Sequence, residues 1–255
     1  MHGAADMAMR ANRVLIVVPA LNEERSVGTV VTEACRLGHD VCVVDDGSTD
    51  ATALHARAAG GTVLRVPLNL GVGGALRAGF RWALSHGYDT VVQIDADGQH
   101  DPREVEALLE TMRAADADMA IGSRFTEGAG AYEVRGARRF AMSVLARRAS
   151  QITGMRITDS TSGFRAISRP LLDRFAADYP VEYLGDTVEA LMDAGRVGAK
   201  IVEHPISAAQ RTHGQGSAGV AASIWYVARV LLATQLIRHR REQRPQSLPS
   251  THGVS

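Results

Sequence analysis

The stretch VVQIDADGQHDP, Val91 to Pro102, joins an apolar run to an acidic loop. Its β-branched residues predict a strand, and the glycine and proline that follow predict a turn. Asp95 and Asp97 therefore fall at the rim of a sheet. Two carboxylates held this close repel each other unless a cation or a shared proton lies between them. Their oxygens suit Mg²⁺ or Mn²⁺, which predicts a metal site, although aspartates are also ordinary turn and cap residues.

Four other short apolar runs follow the same pattern. Together with TVVQID (90–95), the predicted strands are VLIVVP (14–19), VCVVDD (41–46), TVLRV (62–66) and DMAIGS (118–123). The predicted helices between them cover about 24–37, 50–59, 73–86 and 102–115. This alternation predicts an α/β fold with a parallel sheet and helices on both faces. Ligands of such sheets bind beyond the carboxyl ends of the strands, where PALNE, DDGSTD and DADGQHDP all fall.

The second half of the chain is less regular. Its predicted elements are a helix over 138–152, a turn and strand in TDSTSGFRAIS (158–168), a helix near 186–194 and a strand in AKIVEHPI (199–206). We expect one catalytic domain over 13–217, a C-terminal apolar helix over 218–242, and disorder in residues 1–12 and in the polar tail 243–255.

Composition narrows the class of protein. With 255 residues and 45% hydrophobic content, the chain can bury a large core. The 28 basic and 28 acidic residues cancel, so nothing favours binding of nucleic acid. Cys35 and Cys42 lack the spacing of metal ligands, which predicts core residues in a reducing, cytoplasmic compartment. No apolar run reaches the roughly 18 residues of a membrane-spanning helix, and no signal peptide is predicted.

Six motifs occur in an order typical of one enzyme family. They are VVPALNEERSV, VVDDGSTDAT, NLGVGGALRAGF, QIDADGQHDP, GSRF and DSTSGFRAIS. In this combination the chain resembles the family 2 glycosyltransferases, and among them the dolichyl- or polyprenyl-phosphate mannose and glucose synthases. The resemblance covers about residues 13–217. It implies a GT-A fold, a Rossmann-like sheet of nucleotide-diphospho-sugar transferases, with a donor such as GDP-mannose or UDP-glucose, a divalent metal and inversion at the anomeric carbon.

The resemblance also implies roles for individual residues. Asp95, Asp97 and Gln99 would hold Mg²⁺ or Mn²⁺ together with the diphosphate of the donor. Arg124, one of Arg138 or Arg139, and Arg211 would contact phosphate oxygens, and the catalytic set would be Asp97, Arg124 and Asp186. The full set expected to border the nucleotide sugar is Pro19, Ala20, Leu21, Asn22, Glu23, Val44, Asp46, Gly73, Asp95, Ala96, Arg124, Arg138, Arg139 and Arg211.

The acceptor leaves two alternatives open. A phosphate monoester has a second pKa of about 6, so a polyprenyl phosphate is already ionised and needs positioning more than a base. A hydroxyl on a soluble, polysaccharide or secondary-metabolite acceptor needs a base, and Asp186 is the candidate, although it is equally a helix cap. A sugar nucleotidyltransferase would need a basic glycine-rich loop near the first strand, which PALNEERS does not supply. A binding module without activity is the remaining class.

The C-terminal apolar helix has its own pair of interpretations. Its basic end, Arg238 to Arg241, suits a peripheral membrane enzyme at the inner face of the cell membrane. Apolar helices also pack against protein, so the helix could instead cover the catalytic domain or form a homodimer interface.

Overall fold

A computed structural model of the chain describes residues 12–129, 136–180 and 186–207, without the side chains of residues 136–138 and 186. These residues form one sheet with helices on both of its faces. The strands are β1 (Val14–Ala20), β2 (Asp40–Asp45), β3 (Thr62–Arg65), β4 (Thr90–Gln93), β5 (Met119–Ser123), β6 (Arg165–Ser168) and β7 (Ile201–Pro205). The α-helices are α1 (Val27–Arg36), α2 (Thr52–Ala58), α3 (Gly71–Ser85), α4 (Val105–Ala114), α5 (Gly136–Thr153), α6 (Arg169–Ala177) and α7 (Asp186–Arg196), and a 3₁₀ turn (Pro102–Glu104) precedes α4.

The seven strands lie in the order β3-β2-β1-β4-β6-β5-β7. Strands β1 to β4 are parallel, as the alternating pattern predicts. Strand β6 is antiparallel to both of its neighbours, β4 and β5, while β7 pairs in parallel with β5. The carboxyl ends of the parallel strands and the amino end of β6 therefore lie at the same edge of the sheet.

The sheet separates two hydrophobic layers, because successive strand residues point to opposite faces. Leu15 and Val17 face the layer that contains α3, α5, α6 and α7. Ile16 and Val18 face the layer of α1, α2 and α4. The strand residues on both faces are buried and apolar, which explains why the strands read as continuous apolar runs rather than as alternating ones.

Gly79 lets helix α3 approach the sheet closely. A Cβ atom at this position would lie 2.6 Å from Val17 Cγ1 and 3.1 Å from Val44 Cγ2. The first distance is too short for any real Cβ contact, and the second is unusually short. The helix thus rests directly on β1 and β2. This close packing holds the first turn of α3 over the carboxyl end of β2.

Two features of the second half differ from the sequence-based predictions. Helix α6 is absent from them, although Pro170 in its first turn and the buried Leu171, Leu172 and Phe175 are ordinary helix signals. The insertion of antiparallel β6 between β4 and β5 is also not predicted, because strand order depends on long-range packing rather than on local pattern. Within the described residues, no helix combines the length and apolar character needed to cross a membrane.

Candidate functional site

The loop after β1 is bonded to the loop after β2. Asn22 adopts a left-handed backbone conformation, with φ 55°. Its backbone N–H donates to Ser48 Oγ at 2.9 Å, and its side-chain oxygen accepts from the backbone N–H of Thr49 at 2.9 Å. The backbone N–H of Glu23 donates to Thr52 Oγ1 at 2.8 Å. The predicted residues Asn22 and Glu23 thus fix the shape of the sheet edge, and Leu21 beside them is 37% exposed.

Asp45 and Asp46 at the end of β2 are buried and hydrogen-bonded within the protein. Asp45 accepts from the backbone N–H of Ser48 at 3.0 Å and from Arg65 Nε at 3.1 Å. Asp46 accepts from the backbone N–H of Leu70 at 2.8 Å, just before α3 begins. Burial raises the pKa of Asp46 above its ordinary value, and the backbone N–H groups of Leu70 and Gly71 oppose this increase. The carboxylate therefore ties the start of α3 to the site.

The acidic loop after β4 places both of its aspartates at this edge. Asp97 is 5% exposed and accepts from the backbone N–H of Gln99 at 3.0 Å. The Asp95 side chain is 38% exposed, and its Oδ2 lies 3.7 Å from Nδ1 of the buried His100. The loop ends where Asp101 caps the 3₁₀ turn by accepting from the backbone N–H of Arg103 at 2.9 Å.

This donor set fits a hard divalent cation that shares its ligands with a substrate. No three His, Cys, Asp or Glu side chains within the described ranges converge on one point. Mg²⁺, however, is held by one or two carboxylates and completes its octahedron with water and substrate phosphate. Asp95 and Asp97 provide the carboxylates, and the half-buried Gln99 follows them in the same turn. The set lacks the sulfur and imidazole ligands that zinc prefers.

The loop before β6 packs against the Asp95 carboxylate. A Cβ atom on Gly163 would lie 2.6 Å from Asp95 Oδ2 and 2.7 Å from Asp95 Oδ1. Only glycine therefore fits at this position without displacing the carboxylate. Phe164, the next residue, stacks on the His100 ring with centroids 5.4 Å apart and planes 21° apart.

Arg124, predicted to bind phosphate, is paired with a carboxylate of the same loop. Its Nε and Nη2 donate to the two oxygens of Asp159 at 2.7 and 2.8 Å, and Nη2 also donates to Thr161 Oγ1 at 3.0 Å. Arg124 is 8% exposed and Asp159 is 1% exposed. The pair is thus a buried, two-pronged ion pair that attaches the loop to the end of β5. Contact between Arg124 and a donor phosphate remains a prediction.

Glu203 on the edge strand β7 attaches the same loop from the other side. Its Oε1 accepts from the backbone N–H groups of Thr158 and Asp159 at 2.8 and 2.9 Å, and its Oε2 accepts from Thr158 Oγ1 at 2.8 Å. Burial raises the pKa of Glu203 above its ordinary value, and the bonds from Asp159 and Thr158 partly offset the increase.

A third buried residue links the loop to helix α7. Arg165 is 1% exposed, and its guanidinium donates to the backbone carbonyls of Ser162 at 2.9 Å, Ser160 at 3.2 Å and Thr187 at 2.8 Å. Thr187 is the second residue of α7, and Asp186 is the first. The arginine thus fixes where the helix starts relative to the acidic edge.

The remaining predicted site residues are described only by their position in the fold or lie outside the described residues. Arg139 is exposed on α5, and Gly73 is buried in the first turn of α3. Pro19, Ala20, Val44 and Ala96 lie at or just beyond the ends of β1, β2 and β4. The side chains of Arg138 and Asp186, all of Arg211 and the C-terminal helix over 218–242 lie outside the described residues.

Three residues that shape the site were not singled out from the sequence. His100 lies inside the opening stretch, directly after Gln99, and a histidine within an acidic loop is itself a sequence signal. Asp159 and Gly163 lie in DSTSGFRAIS, whose glycine between polar residues and a strand marks a close approach of the backbone. Their partners, however, come from β5 and β4, and these pairings cannot be read from sequence spacing.

Comparisons with known proteins agree with this architecture. An undecaprenyl-phosphate mannosyltransferase of Micrococcus luteus is 35% identical over 211 residues, which cover 80% of this chain and 86% of that protein. A polyprenol monophosphomannose synthase of Mycolicibacterium smegmatis is 36% identical over 214 residues, which cover 79% of each chain.

A solved structure shows the same fold. The glucosyl-3-phosphoglycerate synthase of Mycobacterium tuberculosis, in complex with Mn²⁺, UDP and glucosyl-3-phosphoglycerate, superposes with a TM-score of 0.65 and 24% identity, covering 91% of this chain and 81% of that one. The family model described as "Glycosyl transferase family 2" matches residues 15–175, more than half of the chain. The chain therefore belongs to glycosyl transferase family 2 and is a glycosyltransferase of the GT-A fold.

Proposed function

We propose that this glycosyltransferase moves a hexose from a nucleotide-diphosphate sugar to a polyprenyl phosphate, with Mg²⁺ or Mn²⁺ bound at Asp95 and Asp97. The observation that carries the proposal is the pair of carboxylates at the end of β4, one buried and one partly exposed, at the edge where sheets of this type bind ligands. Two relatives that are 35% and 36% identical over about four fifths of this chain are named for transfer to a polyprenyl phosphate.

The chemistry follows from the charge that develops on the donor. As the bond to the sugar breaks, the diphosphate leaving group gains negative charge. A divalent cation held by Asp95, Asp97 and Gln99 would act there as a Lewis acid. Asp46 and the loops after β1 and β2 would border the nucleotide, since their hydrogen bonds fix the neighbouring part of the edge. A lipid phosphate is already ionised near neutral pH, so the chain needs to orient it rather than deprotonate it.

A hydroxyl acceptor is the second candidate function, with Asp186 as its candidate base. Arg165 holds the carbonyl of Thr187, and thereby the start of α7, against the loop that backs Asp95. This arrangement brings the backbone of Asp186 to a fixed position at the first residue of α7. With Asp186 as the base, Asp186→Asn would abolish transfer while donor binding persists; with a phosphate acceptor, the same variant would stay active.

Transfer to a membrane lipid places the reaction at a membrane surface. We therefore expect peripheral association with the inner face of the cell membrane through the basic C-terminal segment, 218–242. Cosedimentation of the full chain with vesicles that contain anionic lipid tests this expectation, with neutral vesicles as the control.

The test of the function combines donor binding and product chemistry. We expect one of UDP-, GDP- or dTDP-sugars to raise the melting temperature of the full chain, and to do so only when Mn²⁺ is present. The shift should be measurable, because a ligand at 100 times its Kd stabilises the folded state by about 2.7 kcal/mol. The labelled sugar of that donor should then pass into a product extractable with organic solvent when a polyprenyl phosphate is supplied. A donor that binds equally well without metal, or a product that stays in water, would overturn the proposal.

A further inference from the structure

His100 is an unusual residue for the position that it occupies. It is 4% exposed, and its Nδ1 has no hydrogen-bond partner within the described parts of the chain. The ring is held flat against Phe164, which is itself fully buried. Leaving a polar ring atom buried and unpaired is unfavourable, so such a group in a native protein calls for an explanation.

The unpaired nitrogen points to the acidic loop. Asp95 Oδ2 is 3.7 Å from His100 Nδ1, which is beyond hydrogen-bond distance by less than 1 Å. A small rotation of the carboxylate would bring the two atoms into a hydrogen bond, with Nδ1–H of the imidazole as the donor. The ring is fixed by stacking, so the carboxylate is the group that can move.

Gly163 limits that movement from the other side. Its backbone lies so close to Asp95 that an added Cβ would come within 2.6 and 2.7 Å of the two carboxylate oxygens. The loop that carries it is tied down by the bonds of Asp159 to Arg124 and of Glu203 to the backbone of Thr158. Asp95 therefore has a rigid backbone on one side and a fixed ring nitrogen on the other.

We propose that His100 and Gly163 are positioning residues that orient the Asp95 carboxylate for a divalent cation, with His100 Nδ1 donating to Asp95 Oδ2 in the loaded site. This inference rests on the proposed metal-dependent function. The physical reason is general: carboxylates that ligate metals are themselves hydrogen-bonded, and removal of such a partner typically weakens metal binding by about 10–100-fold. Neither residue needs to touch the cation or the sugar.

Direct measurement of metal binding tests the inference without relying on turnover. The full chain is titrated with Mn²⁺ in the presence of whichever of UDP, GDP or dTDP corresponds to the donor that raises its melting temperature, and free Mn²⁺ is measured by electron paramagnetic resonance. His100→Phe keeps the stacking on Phe164 but removes the donor, and we expect a 10–100-fold weaker affinity for Mn²⁺. His100→Asn, whose amide nitrogen can occupy the place of Nδ1, should recover part of the affinity. Gly163→Ala should weaken binding as well, because its methyl group displaces the carboxylate.

Matched controls separate positioning from general disturbance. His86→Phe makes the same change in a histidine that stacks on Trp82 instead of Phe164. Gly28→Ala adds a methyl group whose nearest neighbour, His55 Cβ, is 3.8 Å away. Both controls should bind Mn²⁺ as the wild type does. The melting temperature of each variant without metal shows whether it is folded, and His100→Asn serves in place of His100→Phe if the latter does not fold.

The outcomes of this titration are distinguishable. Weaker Mn²⁺ binding by His100→Phe and Gly163→Ala, with folded proteins and unchanged controls, supports the inference. Wild-type affinity in both folded variants overturns it while leaving the proposed function intact. Absence of nucleotide-dependent Mn²⁺ binding in the wild type with each of UDP, GDP and dTDP overturns the proposed function and this inference together.

Discussion

The aspartates after β2 and the aspartates after β4 occupy equivalent places in the sheet and differ in what surrounds them. Asp45 and Asp46 are at most 2% exposed, and they accept hydrogen bonds from backbone N–H groups and from Arg65. The Asp95 side chain is 38% exposed and lies against Gly163, and its Oδ2 is 3.7 Å from Nδ1 of the buried His100. The carboxylates at the end of β2 thus hold the sheet edge together, whereas the Asp95 side chain stays partly exposed at the same edge.

Replacement of these aspartates by asparagine should show the largest difference between the residues after β4 and those at the end of β2. We expect Asp97→Asn to lower kcat/KM for sugar transfer by about 1,000-fold, because the loss of charge weakens the stabilisation of the leaving group. Asp45→Asn keeps the acceptor for the Ser48 N–H and loses only an ion pair with Arg65, whose side chain is 60% exposed, so a loss below about 10-fold is expected. Steady-state kinetics of both variants decide, and comparable losses would contradict the distinction.

The loop that backs Asp95 should depend on its buried ion pair. Asp159→Asn leaves the Arg124 charge buried without its partner, so we expect the free energy of unfolding to fall by about 3 kcal/mol in urea denaturation. Asp193→Asn removes a similar two-pronged contact to Arg174 at a more exposed place and should cost about 0.5 kcal/mol. Equal losses in the two variants would show that the burial of the first pair has no energetic consequence.

The pH dependence of stability offers the smallest effect and isolates the β2 pair. Because burial raises the pKa of Asp46 above its ordinary value of 3.8, the native state holds this proton to higher pH than the unfolded chain does. Its contribution to the free energy of unfolding therefore decreases as pH rises through the window that starts at the ordinary value. Asp46→Asn does not titrate, so the urea midpoint of this variant relative to that of the wild type should rise as pH increases from about 4. Parallel profiles would refute this assignment.

Much of the fold follows from local pattern. The short β-branched runs predict β1 to β5, and the amphipathic segments between them predict the helices within a few residues of their observed ends. The delivery of PALNE, DDGSTD and DADGQHDP to one edge follows from parallel pairing alone. The family resemblance from the six motifs is confirmed by the family model and by the relatives.

What the pattern does not contain is the pairing between distant segments. Nothing local to Arg165 indicates that β6 runs antiparallel between β4 and β5, since this depends on how the whole second half packs. For the same reason the pairing of Arg124 with Asp159, 35 residues away, is not predicted from the sequence, and contact of Arg124 with a donor phosphate stays a prediction. The close approach of Gly163 to Asp95 likewise joins residues that only the fold brings together.

The reversed direction of β6 has a consequence for how this enzyme could diversify. Because β6 begins at the edge where its antiparallel neighbours β4 and β5 end, this edge receives residues from the start of one strand as well as from the ends of others. Insertions between β5 and β6 would therefore change one side of this edge, while the side formed by the loops after β1 and β2 keeps its shape. The two sides of the edge can therefore change independently of each other.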